Sequence, residues 1–434
     1  MTMPHRLSRH LETRGAAVAI TLALAALVWA IGIRRYASTA SLFDLEFIMG
    51  PTARSLFERG TSCTLLQLHN FQLHDIGQTA LEFCAHRRVF VPGLLALAAL
   101  AGVSVTTYAL LKALAVCALL VFSLRIVAAG LTVRWRLALC AAFALILVNP
   151  WFLSQVAGLE VEEAYAIPLF ALVTALLVRP ALLASRKFLL AAALALFSIV
   201  MLKSSYLFVA IVLAGALAHS APSPRRALLW LAPAVLVGLA SVAVSNGLTS
   251  GRFVTGSSID WWNAYKGNNA LTSKYYSDSK LDQLPLHLPP STRFANEWEF
   301  DRFFRDQTAD FFKREPATVV ALAAERLWNY FGRVDFVVSG AVGDPAKVGI
   351  LGWRWWFLAN VPARLLFLAA LVGAFYLQKN QRLARLWPLV IIASALPHLL
   401  GFAYFRHVTP FLVPSALVLI GLVAESKRHW KWSA

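Results

Sequence analysis

Residues 16–33 read AAVAITLALAALVWAIGI, and residues 386–402 read LWPLVIIASALPHLLGF. Neither run contains an Asp, Glu, Lys or Arg. Runs of about this length cross the hydrocarbon core of a bilayer as helices, because in lipid every backbone polar group must be hydrogen-bonded within the segment. The chain of 434 residues is 59% hydrophobic and 14% charged, whereas globular proteins contain about 45–50% apolar and about 25% charged residues. These values exclude a soluble protein and predict an all-α membrane protein.

Ten apolar windows predict a polytopic helical bundle of about ten spans. The windows are residues 17–33, 104–124, 137–153, 164–178, 188–202, 205–219, 227–245, 350–376, 386–402 and 407–424. We divide the chain into an N-terminal membrane module, a large outer loop region and a C-terminal group of spans. These regions are residues 1–245, with outer loops at 34–89 and 154–163, residues 246–348 and residues 349–434.

The charges predict the orientation of these spans. The net charge is +18, but if the N-terminus is cytoplasmic, the inner loops and both termini hold 17 Lys and Arg residues and only two acids, Glu12 and Glu425. The other 20 Asp and Glu residues fall in outer loops. Basic residues in short loops mark the cytoplasmic side. We therefore predict a bacterial inner-membrane protein with both termini in the cytoplasm, chemistry on the outer face and no nucleic-acid partner.

The first outer loop contains two acids soon after the first span. Asp44 and Glu46 are two residues apart, so on a helix they would point in different directions and could have different roles. Apolar residues spaced i, i+3 and i+4 within 53–57 predict an amphipathic helix at the interface, and residues 87–102, RRVFVPGLLALAALAG, predict a second juxtamembrane helix. The alternative is a solvated loop whose acids only keep it out of lipid.

Two of the four cysteines share this loop. Cys63 and Cys84 would meet an oxidising compartment in a bacterial periplasm, whereas Cys117 and Cys140 lie within predicted spans. The pattern leaves two possibilities open for the outer pair, a disulfide or two reduced thiols.

The second outer loop brings Glu160, Glu162 and Glu163 to the mouth of a span. Carboxylates beside a bilayer are costly unless they face a cation, a polar cavity or water. These three acids are therefore candidate site residues.

Among the cations in or near predicted spans, we single out Lys112, Lys203 and Arg406. Such cations are normally functional or paired. Lys203 and Arg406 lie near outer ends of spans, where a long side chain can also simply reach the interface.

The third outer region begins with aromatic and amide residues that suit a sugar or acceptor surface. Flat rings stack on sugar rings, and amides hydrogen-bond to hydroxyls. The candidates are Trp261, Trp262, Tyr265, Asn268 and Asn269. Aromatic residues also form interfacial belts, which is the alternative interpretation.

The sequence predicts no cofactor firmly. It contains no H-E-x-x-H, C-x-x-C, P-loop or G-x-G-x-x-G pattern, and His69, His74 and Asp75 lack metal-ligand spacing. A divalent metal beside the outer acids remains compatible with the chain, whereas the missing motifs argue against an ATP-driven or nicotinamide-dependent protein.

The order of these features resembles the GT-C class of integral membrane glycosyltransferases, which includes protein O-mannosyltransferases and the aminoarabinose transferases acting on lipid A. FDLEFIMGPTARSLFERG, residues 43–60, is similar to the acidic motif after the first span. RRVFVPG is similar to the R-x-P-x-Y-P segment, with Val89 and Val91 replacing its first Pro and its Tyr. AGLEVEEAYAIP, residues 157–168, is similar to a G-L-E segment.

Two later segments extend the resemblance. Gly251 to Asn269 is similar to a G-x-F-x-P segment followed by G-N-N, and Glu315-Pro316 begins a helix similar to one of the class. FRHVTPFLVP, residues 405–414, is similar to the R-Y-x-x-P-x-x-P motif, with His407 in place of Tyr.

The resemblance implies transfer of a sugar from a polyprenyl-phosphate donor to an acceptor hydroxyl on a glycan, lipid or protein. Asp44 corresponds to the catalytic carboxylate, with Glu46 and Glu160 as further catalytic candidates and Glu162 on the acceptor side. A carboxylate suits a general base for an alcohol, and a single base predicts inversion.

A phosphate leaving group needs cations rather than a proton donor. The candidates are Arg406, Lys203, Arg87 and Arg88. The rival function is a glycolipid transporter or flippase, whose charges would line a path through the membrane. A third possibility is a non-catalytic scaffold in envelope-polysaccharide assembly.

Overall fold

The computed structural model describes residues 3–45, 48–71, 73–275, 286–331, 345–377, 382–401 and 405–426. Most of these residues are helical. The helices are α1 Met3–Arg35, α2 Met49–Arg59, α3 Phe90–Leu100, α4 Val105–Ala128, α5 Val133–Leu147, α6 Pro150–Ala157, α7 Glu162–Val178, α8 Arg186–Leu202, α9 Leu207–Ser220, α10 Pro224–Ser250, α11 Asp260–Gly267, α12 Ala270–Tyr275, α13 Glu297–Arg314, α14 Pro316–Phe331, α15 Pro345–Leu377, α16 Arg382–Leu400 and α17 Leu412–Ser426. The strands are β1 Thr64–Gln67, β2 Leu73–His74, β3 Ala80–Phe83 and β4 Leu286–His287.

Six helical stretches of the described chain are long and apolar enough to cross a bilayer. They are Gly15–Arg35, Val105–Ala128, Pro224–Ser250, Asn360–Leu377, Arg382–Leu400 and His407–Ser426. Helices α7, α8 and α9 lie where spans are predicted but have only 17, 17 and 14 residues. The protein is therefore a multi-pass, all-α membrane protein, and helix length alone supports six of the ten predicted crossings.

The predicted span at residues 137–153 is bent. Helices α5 and α6 meet at an angle of 81° and make a seventh candidate span when taken together. The Asn149 side chain accepts hydrogen bonds from the N–H groups of Trp151 and Phe152, and Pro150 occupies the first turn of α6. Both features start a new helix, which explains why the apolar window does not continue straight.

Helix α7 is the centre of the bundle. Nearly all of its 17 residues are buried, and it packs against α4, α8, α17 and the segment Phe405–Phe411. Peripheral helices differ, since α1 and α10 expose leucines such as Leu22 and Leu229. A helix that is apolar on every side needs protein or lipid around it, so the inner helix is enclosed by protein and the outer ones suit lipid.

The predicted inner loops meet at one end of the bundle, where arginines donate to backbone carbonyl oxygens of neighbouring helices. These hydrogen bonds join Arg179 to Ile126, Arg226 to Ala184 and Arg382 to Ser220, at 3.2, 3.3 and 3.3 Å. Cations near the carbonyl ends of helices are favourable because of the helix dipole. The basic loops thus tie together the ends of successive helices.

The regions predicted as the first and third outer loops fold together at the other end as one lobe, which we call the outer lobe after that prediction. Strands β1 and β3 form an antiparallel pair within the first region, while β2 pairs in parallel with β4 of the third. The strands were not expected from the sequence. The lobe has its own apolar core, which includes Phe71, Phe83, Trp262, Phe300 and Phe304.

A disulfide and a buried carboxylate hold the outer lobe together. Cys63 is bonded to Cys84. The Glu297 carboxylate accepts hydrogen bonds from the N–H groups of Cys84 and Ala85, both at 3.0 Å, and from the Ser258 hydroxyl at 2.5 Å. Burial raises the pKa of Glu297, although these hydrogen bonds oppose the shift. One side chain of α13 therefore clamps the first outer region to the third.

Candidate functional site

Glu160 is bound to the end of the first span. Its carboxylate accepts a hydrogen bond from Arg35 Nη2 at 2.8 Å and another from the Tyr36 hydroxyl. The Tyr36 hydroxyl in turn accepts the N–H of Leu159 at 3.0 Å. Glu160 is buried, so the loop between α6 and α7 and the end of α1 form one rigid unit.

The buried lysine of α4 supports the same loop. Lys112 Nζ donates to the carbonyl oxygens of Val156 and Gly158 at 2.5 and 2.6 Å. The Tyr165 ring lies 5.4 Å from Lys112 Nζ, and its hydroxyl donates to the carbonyl oxygen of Leu159 at 2.7 Å. The ammonium thus neutralises the carbonyl end of α6, which explains how a cation is tolerated inside a span.

Four charged side chains form a network at the start of α7, which we call the outer charge network. Lys203 Nζ lies 2.8 Å from Glu163 and 3.7 Å from Glu162, and Arg87 Nη1 lies 3.3 Å from Glu162. The cation side chains are 28% (Arg87) and 19% (Lys203) exposed, whereas the acids are 8% and 5% exposed. The network therefore has buried acids below and partly exposed cations above.

Arg88 has a different environment from Arg87. Its guanidinium donates to the carbonyl oxygen of Val200, on α8, and to that of Thr255 at 2.9 Å. Burial lowers the Arg88 pKa to about 10, while Asp260 and Glu162 act in the opposite direction. The group stays cationic at neutral pH and joins α8 to the third outer region.

Asp260 fixes the third outer region above Lys203. Its carboxylate accepts hydrogen bonds from the Ser257 N–H at 2.7 Å, the Ser257 hydroxyl at 2.8 Å and the Ser204 hydroxyl at 3.1 Å. Ser204 directly follows Lys203. The start of α11 is thereby held against the end of α8.

Asp44 lies on the surface, outside these buried ion pairs. Its carboxylate is 47% exposed and accepts a hydrogen bond from Arg54 Nη2 at 3.1 Å. The short helical turn Leu42–Asp44 is capped by the Ser41 hydroxyl. Glu46 lies outside the described residues. Asp44 and Glu160 therefore belong to different environments, one open and one closed.

The C-terminal motif packs on α7, the helix whose first turn carries the acids of the outer charge network. The Phe170 ring lies 5.3 Å from the Tyr206 ring and 4.9 Å from the Phe411 ring. Phe170 is seven residues after Glu163, so both lie on one face of α7. The segment that contains Arg406 is therefore packed on the same face as Glu163. The side chain of Arg406 lies outside the described part of the structure.

Two of the predicted sugar-binding aromatic residues support the lobe core. Trp262 is 3% exposed, with its ring 4.8 Å from that of Phe304, and the Tyr265 ring is 5.2 Å from the same phenylalanine. Trp261 is 39% exposed and has an accessible ring. The sequence pattern could not separate these neighbours, because both faces of a short helix are aromatic here.

The two predicted amides are engaged with the backbone. Asn268 donates to the carbonyl oxygen of Leu400 at 2.8 Å and accepts from Arg326 Nη2 at 2.7 Å. Asn269 Oδ1 caps α12 by accepting the N–H groups of Leu271 and Thr272, both at 2.9 Å. These contacts give both amides a place in the fold, and a role in sugar binding stays a prediction.

The sequence reasoning missed Arg35 and Tyr36, which bind Glu160, and two buried arginines. Arg326 donates to the Leu399 carbonyl oxygen at 2.6 Å, and Arg364 donates to that of Tyr330, also at 2.6 Å. An Arg-Arg-Tyr run directly after a span was the available signal for the first two. For Arg364 the signal was its position inside a predicted span.

Within the described ranges, no group of three or more His, Cys, Asp or Glu side chains could hold a metal ion. The divalent metal that the sequence left possible therefore has no set of ligands among the described residues. In comparisons with known proteins, no family model, no curated protein and no solved structure matches the chain.

Proposed function

We propose that this protein is a membrane glycosyltransferase that moves a sugar from a polyprenyl-phosphate donor to an acceptor hydroxyl at the outer face. The observation that carries the proposal is the layered outer charge network. Arg87 and Lys203 form its partly exposed upper layer over buried acids, and the segment Phe405–Phe411 packs on the same helix, α7. Cations of two separate chain regions, Arg87 and Lys203, thus meet at the start of α7.

The upper layer suits the leaving group of this reaction. A polyprenyl phosphate leaves as a stable anion, so the protein needs to supply positive charge and no proton. Arg87 and Lys203 would bind the phosphate oxygens, and charge-assisted hydrogen bonds of this kind are stronger than neutral ones. The polyprenyl chain would lie along the apolar helices, which accounts for a donor that needs no nucleotide site.

Asp44 is the proposed general base. An acceptor alcohol is a weak nucleophile and must lose its proton in the transition state. An exposed carboxylate is accessible to an acceptor arriving from outside, and Arg54 can hold it in one orientation. With one base and no carboxylate nucleophile, the proposed outcome is inversion at the anomeric carbon.

The topology belongs to the same proposal. We place ten crossings in a bacterial inner membrane, with α7, α8 and α9 as short crossings and both termini in the cytoplasm. The support is the separation of loops into two ends, one tied by Arg179, Arg226 and Arg382 and one covered by the outer lobe. Basic residues concentrated at one end are typical of the cytoplasmic side.

The test of the function uses membranes supplied with a labelled polyprenyl-phosphate sugar. Release of polyprenyl phosphate, together with label transferred to an acceptor, is expected for the wild type. Asp44→Asn should lower the rate by about 10²–10⁴, because the amide cannot take the proton. Asp310→Asn is the matched control: Asp310 is 45% exposed and paired with Arg314 at 2.9 Å, yet it lies on α13. Equal rates in both variants would contradict the assignment of Asp44.

The rival function is transport of a glycolipid, and one observation favours it. Lys112 and Arg364 are buried cations within spanning helices, as expected along a translocation path. Proteoliposomes separate the two functions. A transporter would carry the labelled lipid across the bilayer with its sugar attached, whereas the transferase cleaves the sugar from the phosphate and leaves the lipid on its own side.

A further inference from the structure

Three buried polar side chains near the outer end of the bundle have atoms without a hydrogen-bond partner among the described residues. Neither Oδ1 nor Nδ2 of Asn360 is bonded, and the same holds for Thr409 Oγ1 and Gln155 Oε1. Asn360 and Thr409 are 0% exposed and Gln155 is 6% exposed. Water from outside the protein therefore does not solvate them freely.

These side chains lie on elements that pack together. Gln155 is on α6, and α6 packs against both α15, which carries Asn360, and the segment Phe405–Phe411, which carries Thr409. Ser154, next to Gln155, receives a hydrogen bond from Arg35 at the outer end of the first span. Gln155 therefore lies next to the residue that α6 uses to contact the end of the first span.

A chain of contacts links Asn360 to Thr409. Arg364 lies one turn after Asn360, on the same face of α15, and donates to the carbonyl oxygen of Tyr330 at 2.6 Å. The Tyr330 ring stacks on His398 at 5.7 Å, and His398 stacks on His407 at 3.9 Å. His407 is two residues from Thr409. Asn360 and Thr409 thus border one continuous polar cluster.

Unbonded polar atoms in a protein interior are costly, and apolar side chains of the same shape would be more stable there. Such groups are retained when a ligand supplies the missing hydrogen bonds, which is a common reason why binding sites are less stable than they could be. An amide offers both a donor and an acceptor, and so does a hydroxyl. These groups carry no charge, so they suit a neutral ligand that can donate and accept, such as a hydroxyl.

We propose that Asn360, Thr409 and Gln155 form a neutral subsite that binds hydroxyl groups of the donor's sugar. This subsite rests on the proposed transferase function and is separate from the cations that would bind the phosphate. It divides recognition of the donor between two places, the outer charge network for the phosphate and the neutral subsite for the sugar.

The experiment compares two lipids, a polyprenyl-phosphate sugar and the same polyprenyl phosphate without sugar, bound to the purified full-length protein in detergent. The wild type should bind the sugar-bearing lipid more tightly. Asn360→Leu and Thr409→Val should each weaken its binding by about two- to tenfold, which corresponds to a lost neutral hydrogen bond. Binding of the lipid without sugar should not change.

Thermal unfolding without ligand is the second readout. Both variants should unfold at or above the wild-type temperature, because each replaces an unbonded polar group by an apolar one of similar shape. Trp387→Phe is the control: Trp387 Nε1 is also buried and unbonded among the described residues, but it lies near the start of α16, away from Leu400 at the outer end. It should leave the binding of both lipids unchanged.

Equal weakening of both lipids would overturn the neutral subsite, because the variants would then act on the site as a whole. A lower unfolding temperature in both variants would do so as well, since the side chains would then be bonded within the protein. A protein that releases polyprenyl phosphate in the transferase assay, but does not distinguish the two lipids, would keep its proposed function and lose this subsite.

Discussion

Glu162 lies between two cations and hydrogen-bonds to one of them, Arg87. Arg87 Nη1 is 3.3 Å away and Lys203 Nζ is 3.7 Å away, whereas Lys203 is only 2.8 Å from Glu163. A carboxylate in this position occupies the place where a bridging phosphate would interact with both cations. We interpret Glu162 as the internal counter-ion that the proposed donor displaces.

Glu162→Gln should therefore strengthen binding of polyprenyl phosphate, by about fivefold, which is on the order of 1 kcal/mol. The amide keeps the shape but no longer competes for Arg87 and Lys203. Binding to the purified protein is the measurement, with Glu82→Gln as control, because Glu82 pairs with Arg59 at 3.8 Å on the exposed lobe. Weaker binding would mean that Glu162 holds the cations in position.

Asp301 makes the stability of the outer lobe depend on pH. Burial raises its pKa to about 7, although the hydrogen bond from the Trp261 N–H opposes the shift. The folded state then holds the proton more tightly than the unfolded state, whose Asp has a pKa of about 3.9. Stability from this group is present at low pH and is lost as the pH rises from about 4 to about 7.

Asp301→Asn should remove that part of the pH dependence, because the amide does not titrate. The check is the unfolding temperature of wild type and variant between pH 4 and pH 8. Their difference should change steadily up to about pH 7 and then stay constant. Asp306→Asn, an exposed acid on the same helix, should show no such change. A constant difference for Asp301→Asn would rule out the shifted titration.

At the scale of elements, the outer lobe depends on a covalent link between the two ends of its hairpin region. The disulfide joins Cys63, before β1, to Cys84, after β3, across 21 residues. Closing a loop of this length stabilises the folded state by roughly 3 kcal/mol in the chain-entropy model. The small paired strands between these residues could not bury enough surface to be stable alone.

Reduction should therefore lower the unfolding temperature of the lobe and change the mobility of the denatured protein on a gel. Cys63→Ser should abolish the mobility change, and Cys140→Ser, on α5, should retain it. Alkylation of both Cys63 and Cys84 in protein isolated under thiol-blocking conditions would show that the bond does not form in the cell.

At the scale of the whole molecule, the two ends of the bundle differ in charge and in covering. Basic loops bind carbonyl oxygens at one end, and the outer lobe covers the other. A single cysteine introduced at Lys187 should resist an impermeant thiol reagent in intact cells, whereas one at Asp306 should react. Reaction at both positions from outside would contradict the proposed topology with ten crossings.

The sequence by itself determined the class of the molecule and the position of its long apolar helices. Apolar runs such as 16–33 predict helices because backbone satisfaction in lipid is a local requirement. Helices α2 and α3 were also predicted from local patterns, at residues 53–57 and 87–102, and both are present in the structure. The apolar window at 137–153 did not reveal the bend in its candidate span, because apolarity does not show the break that the Asn149 cap and Pro150 introduce.

Only the tertiary structure decided which side chains meet. Glu160 and Arg35 are 125 residues apart, and Glu297 binds backbone groups more than 200 residues away. Trp261 and Trp262 are neighbours in the chain, yet one is exposed and the other is core. Local patterns report how polar a segment is, but a contact depends on which distant segments pack together. Which segments pack together is determined by the burial of whole helix and strand faces, and no single stretch of residues encodes it.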